Sequence, residues 1–462
     1  MKITVQNLGI LKEAMFELGH LTVICGLNNT GKTYATYALY GFLENWRGFL
    51  KADVSGKEID EIIDNGVGRI DIAQHVQKAK NILAKGCQRY TKELPRIFAS
   101  DSKYFSHAKF HLDLDQDIAS ILHPPFERKL HSKKSELLSF SKPEGIGTLD
   151  ISLSADHGNF DLPRRMIKDA IIDVLNEILF KRYLPRPFIA SAERTGVAIF
   201  SKELDFARNR LLEEMARSSK GIDPLELLFR SYNDYAWPVR SNVDFTRRVI
   251  DITKQDSFIA TKYPHILNLF RDIVGGEYIT GSNNSVYFKP SKKNLKLTIG
   301  ESSSAVRSML DIGSYLRHIA QPGDLLMVDE PELNLHPENQ RKVARLFARL
   351  IKLGIRVFIT THSDYIIKEL NTLIMLNQDK PHLKQISSRE GFENEELVDA
   401  EKVKVYIAEK SLLKTKSTSK KRTMHPSLVE VEVSDDYGID ARSFDVVINK
   451  MNEIQEAIVW GD

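Results

Sequence analysis

The sequence predicts an α/β fold, on three observations. Leu21-Thr-Val-Ile-Cys25 is nearly all apolar, as a strand buried on both faces must be. It runs straight into Gly26-Leu-Asn-Asn-Thr-Gly-Lys-Thr33 and then into a helical stretch from Thr33 to Trp46. Far downstream, the apolar run Leu325–Val328 ends on Asp329-Glu330, and the next strand, Arg356–Thr360, ends on Thr361-His362-Ser363.

The other elements follow in order. Ile3–Val5 reads as a strand, and Ala14, Phe16 and Leu18 alternate in a second one. Residues from about 50 to 160 mix helical segments with alternating stretches such as Lys109–Leu114 and Thr148–Leu153. A helix is predicted over Arg165–Phe180, where Ile167, Ile171, Val174, Leu175 and Ile178 recur at helical spacing. The chain then turns through Pro185 and Pro187 into Phe188–Arg194. From about 200 to 275 the pattern is helical and charged, with Leu204, Leu211 and Met215 on one side, and Gly275-Gly276 ends it. Short strands are predicted at Glu277–Thr280, Val286–Lys289 and Leu295–Ile299, then a serine turn at Glu301–Ser304 and a helix through Ile319. Another helix spans Glu338–Leu353. Near the end, strands are expected around Val403–Ile407 and Leu428–Val433. A last helix carries Phe444, Val447, Met451, Ile454 and Ile458 on one stripe.

The bulk numbers exclude several classes. The chain has 462 residues, enough for two or three compact units. Apolar residues make up 42% and charged residues 27%, ordinary for a globular protein. No apolar run is long enough for a membrane span, and residues 1–14 read as folded structure rather than a signal peptide. Cys25 lies in an apolar run and Cys87 in a charged helical stretch. That pattern argues against a disulfide framework and fits a reducing cytosol, so a cytoplasmic location is expected. The net charge of +3 is too small to point to nucleic acid by itself. One basic cluster, Lys414-Thr-Lys-Ser-Thr-Ser-Lys-Lys-Arg422, reads as a solvated hairpin tip, with a phosphate-backbone contact as the alternative.

Three motifs carry chemistry. Gly26–Thr33 fits G-x-x-x-x-G-K-[ST] at every fixed position. Gly26 and Gly31 let successive N–H groups around Asn28 and Asn29 turn toward phosphate oxygens, and the helix that follows adds its positive end. Lys32 then reaches the β- and γ-phosphates of ATP, and the Thr33 hydroxyl ligates Mg²⁺. Asp329 is expected in the Mg²⁺ shell and Glu330 beside the attacking water; in isolation the pair also fits a solvated acidic turn. His362, at the end of the next strand, is placed to touch the γ-phosphate or that water, and in isolation also fits a structural histidine.

At this point the sequence resembles a family. Asp329-Glu-Pro-Glu-Leu-Asn-Leu-His-Pro337 followed by Thr360-Thr-His-Ser363 looks like the ABC-type ATPase head shared by SMC, Rad50 and OLD-family proteins. Leu21–Thr33 and Ala190-Ser-Ala-Glu-Arg-Thr195 are similar to its OLD-like branch, often called AAA15 or AAA21 ATPases. The resemblance implies an ABC-type P-loop NTPase head with a mixed sheet and an inserted helical arm. It makes Lys32 and Thr33 the Walker A pair, Asp329 and Glu330 the Walker B pair with Glu330 as general base, and His362 the switch histidine. Asn334 and His336 fall in the loop that packs against a second protomer. The signature loop, which caps the partner's γ-phosphate, is matched by Ser302, Ser303 and Ser304 in Glu301–Arg307, without the family's glycine. Glu193-Arg194 stands where a glutamine loop belongs, and a plain salt-bridged pair fits there equally.

OLD-family nucleases carry a Toprim domain after the head. Here the residues after His362 contain Val398-Asp-Ala-Glu401 but no Glu-Gly strand end and no Asp-x-Asp. His107 and His111 lie in an alternating stretch and read as ordinary strand residues. The expected division is a head in residues 1–200, a helical insertion in 201–275, a second head segment in 276–380 and its completion in 381–462. An ATPase head without an effector resembles the stand-alone ATPase subunits of bacterial anti-phage systems, such as PtuA of Septu and AriA of PARIS. The implied partners are further copies of this chain, a separate HNH or Toprim nuclease, and DNA or a phage component, with no membrane. The alternative is a DNA-repair or chromosome-maintenance ATPase of Rad50, SMC or RecF type that binds DNA directly.

Overall fold

The computed structural model describes residues 1–131, 136–153, 163–200, 235–281, 285–414, 422–440 and 442–460. They form two compact units. One comprises Met1–Thr4, Phe42–Glu93 and Lys109–Pro185; the other comprises Val5–Gly41, Leu94–Ala108 and Arg186–Asp462.

The smaller unit is built on four antiparallel strands in the order Val67–Asp71, Thr148–Leu153, Glu136–Lys142, Phe126–His131. The predicted helix is found over Arg164–Phe180. It buries Ile167, Ile171, Val174 and Leu175 as the spacing requires, then Leu179 and Phe180 in place of the half-buried Ile178. Asn176 on that helix bridges Leu50 O and Ala52 N, and Asp173 pairs with Arg47 and Arg128.

The larger unit carries the motifs. Its strands and main helices, in chain order, are β1 (Lys2–Leu8), β2 (Leu11–Glu17), β3 (Leu21–Cys25), α1 (Lys32–Phe49), β4 (Pro187–Ala190), α2 (Trp237–Ile252), α3 (Pro264–Val274), β5 (Gly276–Thr280), β6 (Val286–Pro290), α4 (Ser304–His318), β7 (Leu325–Asp329), α5 (Pro337–Lys352), β8 (Arg356–Thr361), α6 (Asp364–Met375), β9 (Val403–Lys414), β10 (Arg422–Val431) and α7 (Arg442–Trp460). Six strands make the central mixed sheet, ordered β10-β9-β3-β8-β7-β4. Only β10 runs antiparallel to its neighbour; the rest pair in parallel. Every residue of β3 and β7 is buried, which explains their continuous apolar runs. Because the parallel strands point the same way, their C-terminal ends lie along one edge, where ligands of open α/β sheets bind.

Helices α3, α4, α5 and α6 cover the sheet through Ile266, Phe270, Met309, Ile312, Phe347, Leu350, Leu370 and Leu373. The C-terminal strand β9 pairs in parallel with β3, so residues after His362 complete this sheet. Leu204, Leu211 and Met215 lie outside the described residues. The described part of that helical region, α2 with Phe258–Lys262 and α3, buries Val243, Phe245, Ile259 and Ile273 in the larger unit. Residues 415–421 of the basic cluster also lie outside the description. On α7, Met451, Ile454 and Ile458 are exposed; the side chains of Phe444 and Val447 lie outside it. Both cysteines are free and buried. Among the described residues no helix is long and apolar enough to cross a membrane.

Candidate active site

The glycine loop leaves the C-terminal end of β3 and enters α1 at Lys32. Gly26 has φ 135° and Gly31 has φ 102°, both in the left-handed range that a side chain resists. A Cβ on Gly26 would meet the Ala408 carbonyl on β9 at 2.8 Å, and one on Gly31 would meet the Leu11 side chain at 2.7 Å. Asn29 also sits at positive φ, 59°, and Asn28 and Asn29 are exposed at the tip. The Lys32 ammonium is folded back onto its own loop, donating to the Gly26 and Leu27 carbonyls at 2.8 Å each. Burial lowers its pKa, and Glu330, Asp329 and Glu332 pull the other way. It is a desolvated cation facing three acids, ready to trade two carbonyls for phosphate oxygens.

The sheet brings the second motif to the first. Thr33 Oγ1 donates to Asp329 Oδ2 at 3.4 Å across 296 residues of sequence, and Thr360 on β8 donates its hydroxyl to Asp329 Oδ1. Asp329 is 2% exposed, and burial pushes its carboxyl up to about 6. A hydroxyl and a buried carboxylate form a hard oxygen donor pair of the kind Mg²⁺ takes from protein while keeping its waters. With the cradle of backbone N–H groups, this donor set fits Mg²⁺ and a nucleotide triphosphate.

Glu330 follows at φ 53°, a left-handed conformation costing a non-glycine residue about 1–2 kcal/mol. Its N–H donates to Thr360 O at 3.0 Å, and its carboxylate is partly exposed. His362 Nδ1 lies 3.7 Å from Glu330 Oε1 and 3.2 Å from Glu332 Oε1. Thus Lys32, Thr33, Asp329, Glu330 and His362 come together at one sheet edge.

Two neighbours, both within motifs named from the sequence, take roles that the sequence does not show. Glu332, 6% exposed, accepts from the Thr361 hydroxyl at 2.9 Å and the His362 N–H at 2.8 Å, while its Oε2 is buried with no hydrogen-bond partner among the described residues. Its signal was the second acid of Asp329-Glu-Pro-Glu332, read only as part of a motif. Arg194 is the other. The expected alternative of a Glu193–Arg194 salt bridge is corrected: Arg194 turns inward and bonds backbone carbonyls, while Glu193 accepts from the Tyr37 hydroxyl at 2.8 Å.

The three serines stand apart from this cluster. Ser302 donates to Thr298 O, Ser303 caps α4 by accepting from Val306 N–H, and Ser304 accepts from Arg307. Asn334, at φ 62°, and His336, the N-cap of α5, lie on the turn after β7.

A phosphate-binding loop, an acidic strand end and a histidine on adjacent parallel strands of a mixed sheet define an ATPase head of ABC-like type. The chain belongs to the AAA ATPase domain family (AAA_15), which it matches over residues 1–173 and 240–367. No curated protein matches it. Among solved structures it is similar to an SMC head bound to the C-terminal winged-helix domain of ScpA, at 11% identity and a TM-score of 0.33, covering 93% of this chain and 97% of that one. It is also similar to the SMC head domain from Thermotoga maritima, at 9% identity and a TM-score of 0.30, covering 94% and 98%. A third is the Smc head from Pyrococcus furiosus bound to the C-terminal domain of ScpA, at 13% identity and a TM-score of 0.30, covering 98% of each chain. At those values the likeness carries nothing about activity or partners.

Proposed function

We propose that this chain is an ATP-hydrolysing subunit of a bacterial anti-phage defence complex that holds and regulates a separate nuclease, of HNH or Toprim type. The observation that supports the ATP chemistry is the meeting of Thr33 and Asp329 at 3.4 Å beside Lys32 and Glu330. Bound Mg·ATP supplies the phosphoryl group and the metal charge that offsets its oxygens. Lys32 leaves its loop carbonyls to bind the β- and γ-phosphates, and Thr33 with Asp329 holds the metal. Glu330 takes a proton from the water whose oxygen bonds to the γ-phosphorus as the bond to the bridging oxygen breaks and ADP leaves, and His362 orients against the γ-phosphate. Two heads pair so that Ser302–Ser304 of one protomer, at the start of α4, serve the nucleotide of its partner, with Asn334 and His336 in the contact.

The regulatory half of the proposal rests on the topology of the head: after His362, β9 and β10 join the ATPase sheet, while, among the described residues, Val433–Ser434 and Gly438–Ile439 pair only with each other. ATP at this site serves, in the cytoplasm, as a control input rather than as fuel for a second reaction in this chain. Purification from the native operon tests this. A nuclease subunit co-eluting with the chain is expected; elution without any companion gene product counts against it. Direct binding of DNA is the second reading, favoured by Lys289, Lys292 and Lys293 beside a cleft of about 440 Å³ that also holds the Arg271–Glu277 ion pair. It requires DNA affinity that falls steeply with salt.

A further inference from the structure

Arg194 follows β4, and its guanidinium lies wholly inside the larger unit at 1% exposure. It donates four hydrogen bonds, all to backbone carbonyls. Nε reaches Ser308 O at 2.8 Å, Nη1 reaches Ser191 O at 2.8 Å and Asp329 O at 2.6 Å, and Nη2 reaches Glu330 O at 2.7 Å. These carbonyls belong to three elements: the end of β4, the acidic end of β7, and α4, whose first turn is the serine segment. Among the described residues no carboxylate hydrogen-bonds the guanidinium; Asp311, Asp329, Glu332 and Glu330 act on it through space.

The arrangement is more specific than a buried charge needs. A guanidinium presents its donors in one rigid plane, so it fixes the spacing of the carbonyls it holds. One of them is the carbonyl of Glu330, a residue at φ 53°. The preceding peptide of Glu330 is held by Thr360 O, so both sides of the residue are pinned and its side chain is aimed. Another is Ser308 O, five residues beyond the Ser303 cap. The same segment is tied down by the Tyr278 hydroxyl on Val306 O and by the Ser308 hydroxyl on Leu333 O, the latter in the turn after Glu330.

We propose that Arg194 is a positioning residue that aims the Glu330 carboxylate and locks that setting to the serine turn of α4, so that filling the Lys32–Asp329 site is felt at Ser302–Ser304. Arg194 touches no substrate atom; it acts through the backbone of Glu330 and Ser308. The inference rests on the reading of Glu330 as the base. Lysine at this position keeps the charge but not the fork, and an ammonium cannot span four carbonyls on three elements.

The full-length chain tests this with Arg194→Lys and Arg194→Met beside Glu330→Gln. ATP affinity, read with a fluorescent ATP analogue, is expected to stay within about threefold in both Arg194 variants, because the phosphate loop does not touch Arg194. Turnover is expected to fall about 100-fold with KM nearly unchanged, the cost of a base misaimed by an ångström. If Arg194→Lys keeps wild-type turnover while Glu330→Gln abolishes it, the positioning role is wrong and the base assignment stands. If Glu330→Gln leaves turnover intact, the base assignment itself fails. Parallel loss of affinity and turnover marks Arg194 as a plain structural staple and overturns the proposal. Amide exchange on the wild-type chain decides the matter if the variants do not fold. Mg·ADP, which lacks the γ-phosphate a partner would cap, is expected to change exchange in residues 300–310 about threefold or more. Protection of Gly26–Thr33 with no change in 300–310 overturns the coupling.

Discussion

Glu332 holds His362 at two points: its Oε1 accepts the His362 backbone N–H at 2.8 Å and lies 3.2 Å from the ring Nδ1. A carboxylate against Nδ1 keeps the proton there and leaves Nε2 for the nucleotide. The same oxygen takes the Thr361 hydroxyl at 2.9 Å, so the end of β8 is fastened to the turn after β7 through one atom.

Glu332→Gln should therefore act on turnover more than on binding. The amide keeps the size but offers Nδ1 a weaker acceptor, and it can present a donor where an acceptor is needed. Turnover is expected to drop about 10–100-fold, the usual worth of a group that orients a working imidazole. ATP affinity should change less than about threefold. Steady-state kcat and KM measured together check this; a rise in KM at constant kcat would place Glu332 in ground-state binding instead.

Glu330→Gln removes the base without moving its backbone, which Arg194 and Thr360 hold. General-base catalysis is worth about 10²–10⁴-fold, so turnover should fall by that factor while ATP stays bound. Rapid separation of protein from free nucleotide after mixing with labelled ATP should recover ATP, not ADP, on the variant. Recovery of ADP at the wild-type rate would remove Glu330 from the chemistry.

The sheet and the five clustered residues were legible because they obey strong local rules. β3 and β7 are nearly continuous apolar runs, and Gly26–Thr33 fits its pattern position by position. Arg194 was not legible as to role, since its partners are backbone carbonyls, which carry no residue identity; Glu332 was not, since its partners Thr361 and His362 lie on the next strand, about 30 residues away. Ser302–Ser304 could be placed at a helix start, as Ser303 is, and each of the three bonds a neighbour within its own segment. The stripe on α7 shows the opposite limit: helical spacing located the helix, yet Met451, Ile454 and Ile458 stay exposed.

Asp311 on α4 predicts an unusual pH response. Burial pushes its carboxyl up to about 7, partly offset by Arg194, and its Oδ2 has no hydrogen-bond partner among the described residues. A carboxyl raised on folding binds its proton more tightly in the native state. Its contribution to stability is present below the ordinary carboxylate range and is lost as pH rises through about 7. Holding the ionised form in the fold costs up to about 4 kcal/mol. Asp311→Asn should match the wild type near pH 3.8 and exceed it increasingly in melting temperature as pH rises toward 8. Thermal melts of both proteins across that range test it, and equal melting temperatures at pH 8 would refute the burial of a bare carboxylate.

Gly26→Ala asks whether the loop's conformation, rather than its charge, makes the site. Gly26 sits at φ 135°, where an added Cβ meets the Ala408 carbonyl at 2.8 Å and its N at 3.2 Å. Neither backbone atom can yield, because β9 is paired to β3 through Ile407↔Cys25 and to β10 on its other side. The loop must move instead, carrying the Gly26 carbonyl that now holds Lys32. The variant should lose about 1–3 kcal/mol of stability to strain and at least about tenfold in ATP affinity. Gly48→Ala is the control, since a Cβ there meets nothing within 4 Å and the site is helical. It should be neutral or stabilise by up to about 1 kcal/mol and leave ATP binding alone. Thermal shifts recorded with and without Mg·ATP separate the two effects. A Gly26→Ala chain whose melting temperature still rises on ATP as much as the wild type's would show that the loop tolerates a side chain, and the cradle would have to be placed elsewhere.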